Sequence, residues 1–362
     1  MAISSPAHRI VAVGDLHGDF SAWRDIARAA QLVNSDGHWI GGDAILVQTG
    51  DVVDRGPDSL KIIQDLMRLQ HEAQRAHGQV IAMVGNHEAM NMTGDLRYVS
   101  AADYASYSGG RSSQLRENVY TANKTVIEAA YHQRDPQMTP DAIKQAWFEA
   151  FPLGRIEHQI AWSPEGSIGK WIIGNPAVVL LDGILFVHGG ISPAYVHMPV
   201  EEINQKVAAA LTAKSTAPEA IINDPMGPLW YRGLAIPNWD GGSTDTPAAG
   251  AASGATPAAA AGPQSGAPAA GGPPTVAPPV AAAPALPPIE DQVNAVLSAF
   301  GAKRIVIAHT PLLSGIAMLY GDRLIRIDTG ISSVYGGKVT YLDILDGMPV
   351  AHVVERSPPP SK

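Results

Sequence analysis

The 362-residue sequence contains no cysteine. The chain therefore has no disulfide framework, no thiolate metal site and no thiol-based redox switch. Any enzyme that works through a cysteine nucleophile is excluded as well, because that chemistry needs a thiolate. Whatever this chain does, it must do with oxygen and nitrogen groups.

The sequence also lacks long apolar runs and an excess of basic residues. No segment approaches the ~18 consecutive apolar residues of a membrane helix, so we expect no membrane partner. Lys and Arg total 25 against 34 Asp and Glu, a net charge of −9, which disfavours a nucleic-acid partner. The N-terminus shows no charged region followed by a long apolar run. We therefore expect a cytoplasmic protein, with a periplasmic mature form that has lost its leader as the alternative.

One segment has a very different composition from the rest. Residues 241–288 contain 17 Ala, 11 Pro and 8 Gly, together 36 of 48 residues, with Asp245 as the only charge. Such a segment has no apolar period with which to offset its ordering entropy, so we interpret it as a disordered insertion. It divides one domain into a first part, residues 1–240, and a second part, residues 289–362. A Pro-rich ligand for a partner protein is the alternative interpretation.

Before the insertion, short apolar runs alternate with helical apolar spacing. Strands are predicted at Arg9–Val13, Ala44–Thr49 and Gln79–Val84. Between them, helices are predicted over Asp19–Val33, with Asp19 as N-cap, and from Pro57 at a first helical position. This β-α-β-α-β order predicts a parallel sheet with right-handed crossovers.

The later chain is richer in hairpin signals. A helical middle is predicted over about 101–150, and the Asp-Gly turns at 182–183 and 346–347 predict two β-hairpins. Further predicted elements are a helix over Glu290–Ala302 and strands at Arg304–Ala308 and Arg323–Asp328. Together these elements predict an α/β fold in which two mixed β-sheets pack as a sandwich flanked by helices.

Each of the first three predicted strands ends in a polar loop that contains glycine. The loops are Gly14–Gly18 (GDLHG), Gly50–Gly56 (GDVVDRG) and Gly85–Glu88 (GNHE). Ligands of open parallel sheets bind beyond the carboxyl ends of the strands, so we expect these loops to converge. Asp, His and Asn side chains offer oxygen and nitrogen ligands that suit Mn, Fe or Zn.

The spacing of these residues predicts two metal ions. Asp15 and His17 can point to one ion, whereas Asp51 and Asn86, from neighbouring strands, can hold a second. Asp51 is the carboxylate best placed to bridge two ions about 3.5–4 Å apart.

Two further imidazoles follow predicted strands later in the chain. They belong to His188, in Val187–Gly190, and to His309, in Ala308–Pro311. A single histidine in such a place is more often structural, but five strand-end motifs in order favour a metal site. We interpret the other eight histidines as surface or structural residues.

The motifs GDLHG, GDVVDRG, GNHE and HGG resemble those of the phosphoprotein phosphatases of the calcineurin-like metallophosphoesterase superfamily. The segments Gly85–Tyr98, Pro228–Gly233 and Arg326–Gly330 are similar to those of the branch called Shewanella-like protein phosphatases. Where the eukaryotic serine/threonine enzymes carry a Ser-Ala-Pro-Asn-Tyr segment, this chain has Ile327–Gly330, so their toxin sensitivity and regulatory subunits are not carried over.

The resemblance implies a role for each site residue. The first metal is expected on Asp15, His17 and Asp51, and the second on Asp51, Asn86, His188 and His309. We expect Mn, Fe or Zn at both positions, with manganese supporting activity in vitro. A hydroxide that bridges the two metals is the expected nucleophile for in-line attack on phosphorus.

The resemblance also implies four catalytic residues. Arg55 and Arg232 are expected to bind the phosphate, His87 to act as general acid, and Asp54 to hold His87 in the correct tautomer. An ion pair with Asp54 or Asp58 is the alternative for Arg55. Stacking on its aromatic neighbours is the alternative for Arg232. Asp328, at a strand end, is a further candidate for contact with the site.

The expected function is that of a hydrolase, a metal-dependent protein phosphatase that removes phosphate from phosphorylated proteins or peptides, with a bias toward phosphotyrosine. A dinucleoside-polyphosphate hydrolase is the alternative, because such enzymes share the early motifs. An alternative of another class is a scaffold or binding protein that acts through the Pro-rich insertion.

Overall fold

The computed structural model describes residues 9–242 and 286–357. The predicted disordered insertion, 241–288, lies outside the described residues except for two residues at its start and three at its end. The division into 1–240, 241–288 and 289–362 therefore stays a prediction. Within the described ranges, no helix is both long enough and apolar enough to cross a bilayer.

The first sheet has the strand order β10-β9-β1-β2-β3. Its strands are β1 (Ile10–Val13), β2 (Ile45–Gln48), β3 (Gln79–Ala82), β9 (Val339–Leu345) and β10 (Met348–Val354). The first three are parallel, as their crossover pattern predicts, and β9 runs antiparallel to both β1 and β10. The predicted C-terminal hairpin is thus confirmed.

The second sheet has the order β4-β5-β6-β8-β7. Its strands are β4 (Val178–Leu181), β5 (Ile184–Val187), β6 (Arg304–Ile307), β7 (Ala317–Leu319) and β8 (Leu324–Arg326). The predicted β4–β5 hairpin is confirmed, while β5, β6 and β8 are parallel to one another. Strand β7 was not predicted, because it is only three residues long and none of its residues is fully buried. The fold is the expected α/β sandwich of two mixed sheets.

Helices cover the outer faces of both sheets and form the middle of the chain. They are α1 (Phe20–Ala29), α2 (Ser59–Arg75), α3 (Asn86–Thr93), α4 (Ala101–Ser106), α5 (Ser112–His132), α6 (Pro140–Ala150), α7 (Arg155–Ala161), α8 (Ser167–Ile173), α9 (Val200–Thr212) and α10 (Ile289–Phe300). The predicted helical middle corresponds to α4, α5 and α6. The last predicted helix ends two residues earlier than expected, because Gly301 takes a left-handed conformation with φ of 61°.

The predicted bounds of the first two helices need correction. Asp19 caps α1 as predicted, but the helix ends at Ala29 rather than at Val33 because Gln31 adopts a positive φ of 54°. Pro57 does not occupy the first helical position, since α2 starts at Ser59. The chain up to Asp58 is tied to the first loop, where the Asp58 N–H donates to the carbonyl of Gly18 at 3.0 Å.

Alternate residues of each strand pack on opposite sides of its sheet. On β5, Phe186 joins the apolar layer between the two sheets, whereas Leu185 and Val187 join the layer under the helices. On β1, Ile10 and Ala12 face the other sheet in the same way. Because both faces are buried, these strands are apolar throughout, and only the loops beyond them carry polar side chains.

Replacing Phe186 with alanine tests the layer between the sheets. We expect Phe186→Ala to lower the free energy of unfolding by about 3–5 kcal/mol, since the side chain is fully buried and the space cannot refill. The matched control is Leu180→Ala on β4, where the side chain is 43% exposed and a loss of about 1 kcal/mol or less is expected. Urea unfolding at equal metal loading measures both, and equal losses would contradict this packing.

Candidate functional site

The loops that follow β1 and β2 are joined by their backbones. The N–H groups of Leu16 and His17 both donate to the carbonyl oxygen of Asp51 at 3.0 Å. Gly18 has a φ of 66°, and a Cβ at this position would lie 2.7 Å from the backbone of Gly56. A side chain cannot be placed there, so glycine is required for the two loops to come this close.

Glu88 joins the second loop to the third. Its Oε2 accepts hydrogen bonds from the N–H groups of Asp51 and Gly85, each at 2.8 Å, and its Oε1 accepts one from Val52 at 2.9 Å. These bonds place Asn86 at the start of α3, next to Asp51. This role of Glu88 was not predicted, although the Gly85-x-x-Glu88 spacing has the acidic residue of a capping box.

Asp51 lies at the centre of the candidate site. Its Oδ2 lies 3.3 Å from His188 Nε2, 3.8 Å from His17 Nε2 and 3.9 Å from His87 Nε2. Two groups of potential metal ligands share it: His17, Asp51 and His87 form one, and Asp51, His188 and His309 form the other, with ligand atoms within 4.8 Å of each other in each group. The predicted bridging position of Asp51 fits this arrangement.

Hydrogen bonds orient the imidazoles toward Asp51. His17 Nδ1 lies 3.0 Å from the carbonyl of Val53, and His188 Nδ1 lies 2.9 Å from that of Thr49. A carbonyl only accepts, so each Nδ1 carries a proton, and each Nε2 is the ring atom that faces Asp51. His188 Nε2 is also 3.0 Å from Asn86 Oδ1. His188 Nε2, Asn86 Oδ1 and Asp51 Oδ2 thus converge on one point, where a cation could take all three as ligands.

Asp15 and His309 complete the cluster. The backbone N–H of His309 donates to Asp15 Oδ1 at 3.4 Å, and the ring of His309 lies 5.0 Å from that of His188. His309 Nε2 is buried and has no hydrogen-bond partner among the described residues. A buried nitrogen without a partner is costly, and a metal ion would satisfy it. The six predicted ligands therefore form one cluster, and each is 4% exposed or less.

The pKa values of two imidazoles favour the neutral form that binds metals. Burial, together with the nearby His87, lowers the pKa of His17 to about 3. Burial, reinforced by Arg232, lowers the pKa of His309 well below its usual value. Neutral imidazole is the metal-binding form of histidine, so these two rings need not lose a proton before binding.

The carboxylates of the site repel one another. Burial, followed by the charges of Asp328 and Asp51, raises the pKa of Asp15 well above its usual value. Burial would also raise the pKa of Asp51, but His188 and the other imidazoles hold it well below. Divalent cations would relieve this repulsion, and the oxygen and nitrogen donors suit them. The residues present therefore fit a metal centre.

His87 has a carboxylate partner of its own. Its Nδ1 donates to Asp54 Oδ2 at 2.6 Å, and the side-chain amide of Asn91 donates to Asp54 Oδ1 at 2.9 Å. Burial opposes protonation, but the carboxylates of Asp51 and Asp54 raise the pKa of His87. The free Nε2 faces the site. The His87–Asp54 pair is as predicted, whereas Asn91, which lies one helical turn beyond His87 and fixes their geometry, was not predicted.

Both predicted arginines lie at this cluster. The guanidinium of Arg55 lies over the rings of Tyr98 and Tyr335. Within residues 9–242 and 286–357 no carboxylate is within ion-pair distance of Arg55, so its alternative role as an ion-pair partner was wrong.

Arg232 is 6% exposed, and its Nη1 donates to the carbonyl of His309 at 2.9 Å and to Thr310 Oγ1 at 3.1 Å.

Asp328, a candidate from its position at a predicted strand end, lies beside Asp15 at the edge of the site. Its charge lies close enough to Asp15 to raise the pKa of that carboxyl group, and its Oδ1 accepts from the N–H of Gly330 at 2.9 Å. Burial raises the pKa of Asp328. Its position beyond β8, the strand next to β6 in the sheet, was the sequence signal. Among the described histidines, only His17, His87, His188 and His309 belong to a candidate metal group.

Comparisons with known proteins agree with this geometry. Shewanella-like protein phosphatase 2 of Arabidopsis thaliana is 35% identical over 204 residues, which cover 55% of this chain and 50% of the relative. Shewanella-like protein phosphatase 1 of Plasmodium berghei is 29% identical over 198 residues, 55% of this chain and 43% of the relative. The chain spans about half the length of these relatives. The predicted resemblance to the Shewanella-like branch is confirmed.

A solved structure supports the fold. The cold-active protein-tyrosine phosphatase of a psychrophilic Shewanella species superimposes with a TM-score of 0.62 at 18% identity, covering 96% of this chain and 80% of the other. At this identity the similarity concerns the fold alone.

The family model for calcineurin-like phosphoesterases matches residues 8–225, more than half of the chain and all of the first three strand-end loops. The chain therefore belongs to the calcineurin-like phosphoesterase family.

Proposed function

We propose that this protein is a metal-dependent phosphomonoesterase that acts on phosphorylated proteins or peptides. The observation that carries the proposal is that five potential metal ligands cluster around a sixth, Asp51, with His87 and Arg55 beside them. The names of the Arabidopsis and Plasmodium relatives support a protein substrate. A protein that acts only as a scaffold has no need for a complete set of buried metal ligands. The cytoplasmic location and a partner for the Pro-rich insertion stay predictions.

The proposed metal ligands form two sets that share one carboxylate. Asp15, His17 and Asp51 would hold one divalent cation, and Asp51, Asn86, His188 and His309 a second. When bound, two such cations neutralise phosphate charge and lower the pKa of water to near 7. Of Mn, Fe and Zn, we expect manganese to support activity in vitro.

The two arginines bind the phosphate in this proposal. A guanidinium holds phosphate oxygens through paired N–H donors and keeps its charge at any physiological pH. Arg55 has no carboxylate partner among the described residues, so its charge is available to an anion. Arg232 is buried beside His309, and its contact with the His309 carbonyl fixes its position. Both guanidinium groups compensate the negative charge that develops in the transition state.

His87 supplies the proton for the departing oxygen. Its Nδ1–H is held by Asp54, so only Nε2 faces the substrate. The raised pKa of His87 favours the protonated ring that a general acid must have before the reaction. The side-chain amide of Asn91 donates to the second oxygen of Asp54 and so fixes the orientation of the carboxylate that His87 contacts.

We further propose a preference for phosphotyrosine. The candidate ligands are buried, so a phosphate must enter a recess to reach them. The aromatic arm of phosphotyrosine places its phosphate further from the peptide backbone than the short arm of phosphoserine does. Half-buried Tyr98 and Tyr335 line the same site and offer aromatic contact.

Removing the metal tests the proposed activity. Chelation should abolish hydrolysis of p-nitrophenyl phosphate and of phosphopeptides, and Mn²⁺ should restore it, with two metal equivalents per chain. Phosphotyrosine peptides should show a higher kcat/KM than phosphothreonine peptides of the same sequence. No turnover with Mn, Fe or Zn would contradict the proposal. Faster release of nucleotides from diadenosine tetraphosphate than of phosphate from peptides would contradict the protein substrate.

Replacing the shared carboxylate tests the metal centre. Asp51→Asn should lower the metal content below two equivalents and reduce kcat roughly 10²- to 10³-fold, because both ions lose a charged ligand. Asp141→Asn, on the exposed face of α6, is the matched control and should keep both metal and activity. Elemental analysis and steady-state kinetics measure these effects, and full activity in Asp51→Asn would overturn the assignment.

Substrates with different leaving groups test His87. On a phosphoserine peptide, His87→Asn should lower kcat roughly 10²- to 10⁴-fold, the usual contribution of a general acid. On p-nitrophenyl phosphate the loss should be much smaller, since p-nitrophenolate leaves without protonation. His71→Asn, on the exposed side of α2, is the control. Equal losses on both substrates together with lost metal would instead make His87 a metal ligand.

A further inference from the structure

The guanidinium of Arg55 lies between two tyrosine rings that come from distant parts of the chain. Its Cζ is 4.4 Å from the centre of the Tyr98 ring and 5.3 Å from that of Tyr335. Tyr98 follows α3, whereas Tyr335 lies in the loop before β9. Both distances are within the ~6 Å at which a cation is attracted to an aromatic face.

Few other contacts hold the Arg55 side chain. Its backbone N–H donates to the carbonyl of Tyr98 at 2.9 Å, which fixes the main chain at a φ of 67°. Its Nε is buried without a hydrogen-bond partner in the described part of the chain. The usual support for an arginine is a carboxylate, and none pairs with it in residues 9–242 and 286–357. The two rings are therefore the main restraint on the guanidinium.

The loop that carries Tyr335 is itself fixed. Its ends meet where the N–H of Gly337 donates to the carbonyl of Gly330 at 3.0 Å. Within it, the N–H of Ser333 donates to Asp19 Oδ2 at 2.8 Å, and Ser332 Oγ donates to the carbonyl of His17 at 3.3 Å. The Tyr335 ring is thus anchored to the first strand-end loop, the one that holds Asp15 and His17.

The segment that carries Tyr98 is tied to the second strand-end loop. Besides the Arg55 contact, Ser100 Oγ donates to the carbonyl of Gly56 at 3.2 Å. The ring of Tyr98 also lies 5.1 Å from that of His87. Both rings are consequently fixed relative to the metal-ligand cluster, and Arg55 is fixed through them.

We infer that Tyr98 and Tyr335 are positioning residues that orient the Arg55 guanidinium toward a phosphate without neutralising its charge. This inference rests on the proposed function. A carboxylate partner would accept from the N–H groups that must face the phosphate and would cancel the charge. Aromatic rings contact the face of the guanidinium instead and leave the N–H groups at its edge free. An arginine held in its bound orientation loses less side-chain entropy when the anion arrives.

Binding of inorganic phosphate is the readout for this inference. In the manganese-loaded protein, Tyr98→Leu and Tyr335→Leu should each weaken phosphate binding roughly 3- to 30-fold, the range of one cation–π contact. KM for a phosphopeptide should rise by a similar factor, whereas kcat should change less. Tyr98→Phe and Tyr335→Phe keep the ring and should recover most of the affinity. Tyr131→Leu, a half-buried tyrosine of α5 far from the site, is the matched control.

A double-mutant cycle shows whether the rings act through Arg55. In an Arg55→Ala background, Tyr98→Leu and Tyr335→Leu should weaken phosphate binding no further. Additive losses in that background, or Phe variants as weak as the Leu variants, would overturn the inference. Metal analysis of each variant ensures that His17, which touches Tyr335, keeps its ion. Phosphate binding is measured by calorimetry and needs no turnover. If this protein binds phosphate but hydrolyses no ester, the proposed function is refuted, and the test of the two tyrosines can still be made.

Discussion

The site depends on one buried carboxylate that is surrounded by imidazoles. Asp51 is 2% exposed, and moving such a charge out of water is unfavourable unless other groups compensate it. Parallel strands bring His17, Asn86 and His188 to the same edge of the two sheets, and Glu88 holds the Asp51 backbone in place. The packing of the sheets and the chemistry at their edge are therefore linked, because the loops reach Asp51 only if β1, β2 and β5 keep their register.

Two features around Asp51 attract or carry positive charge: the potential metal ligands and the guanidinium groups of two arginines. The potential metal ligands lie where the carboxylates of Asp15, Asp51 and Asp328 repel one another. A divalent cation bound there would relieve that repulsion. Two arginines lie beside these ligands, and Arg55 has no carboxylate partner among residues 9–242 and 286–357. Arg232 is positioned by the carbonyl of His309, and Arg55 by two aromatic rings. Neutral groups thus orient the Arg55 side chain, and its charge stays available to an anion.

Much of this arrangement could be predicted from the sequence, because it follows from the order of strands and loops. The alternation of apolar strands and helices gave the parallel part of the first sheet, and the strand-end rule brought together residues as distant as Asp15 and His309. Contacts that depend on loop conformation could not be predicted. The short strand β7 has no apolar period, Pro57 lies before its helix because the chain is tied to Gly18, and nothing local to Tyr335 indicates that it reaches Arg55.

The central claim is that six side chains, spread from Asp15 to His309, bind a pair of metal ions. Anomalous X-ray diffraction from crystals soaked in Mn²⁺ tests it most directly. The account predicts two manganese peaks with the Asp51 carboxylate between them, one within bonding distance of His17 Nε2 and the other of His188 Nε2. A single peak that does not touch Asp51, or no peak in this cluster at saturating Mn²⁺, would contradict it.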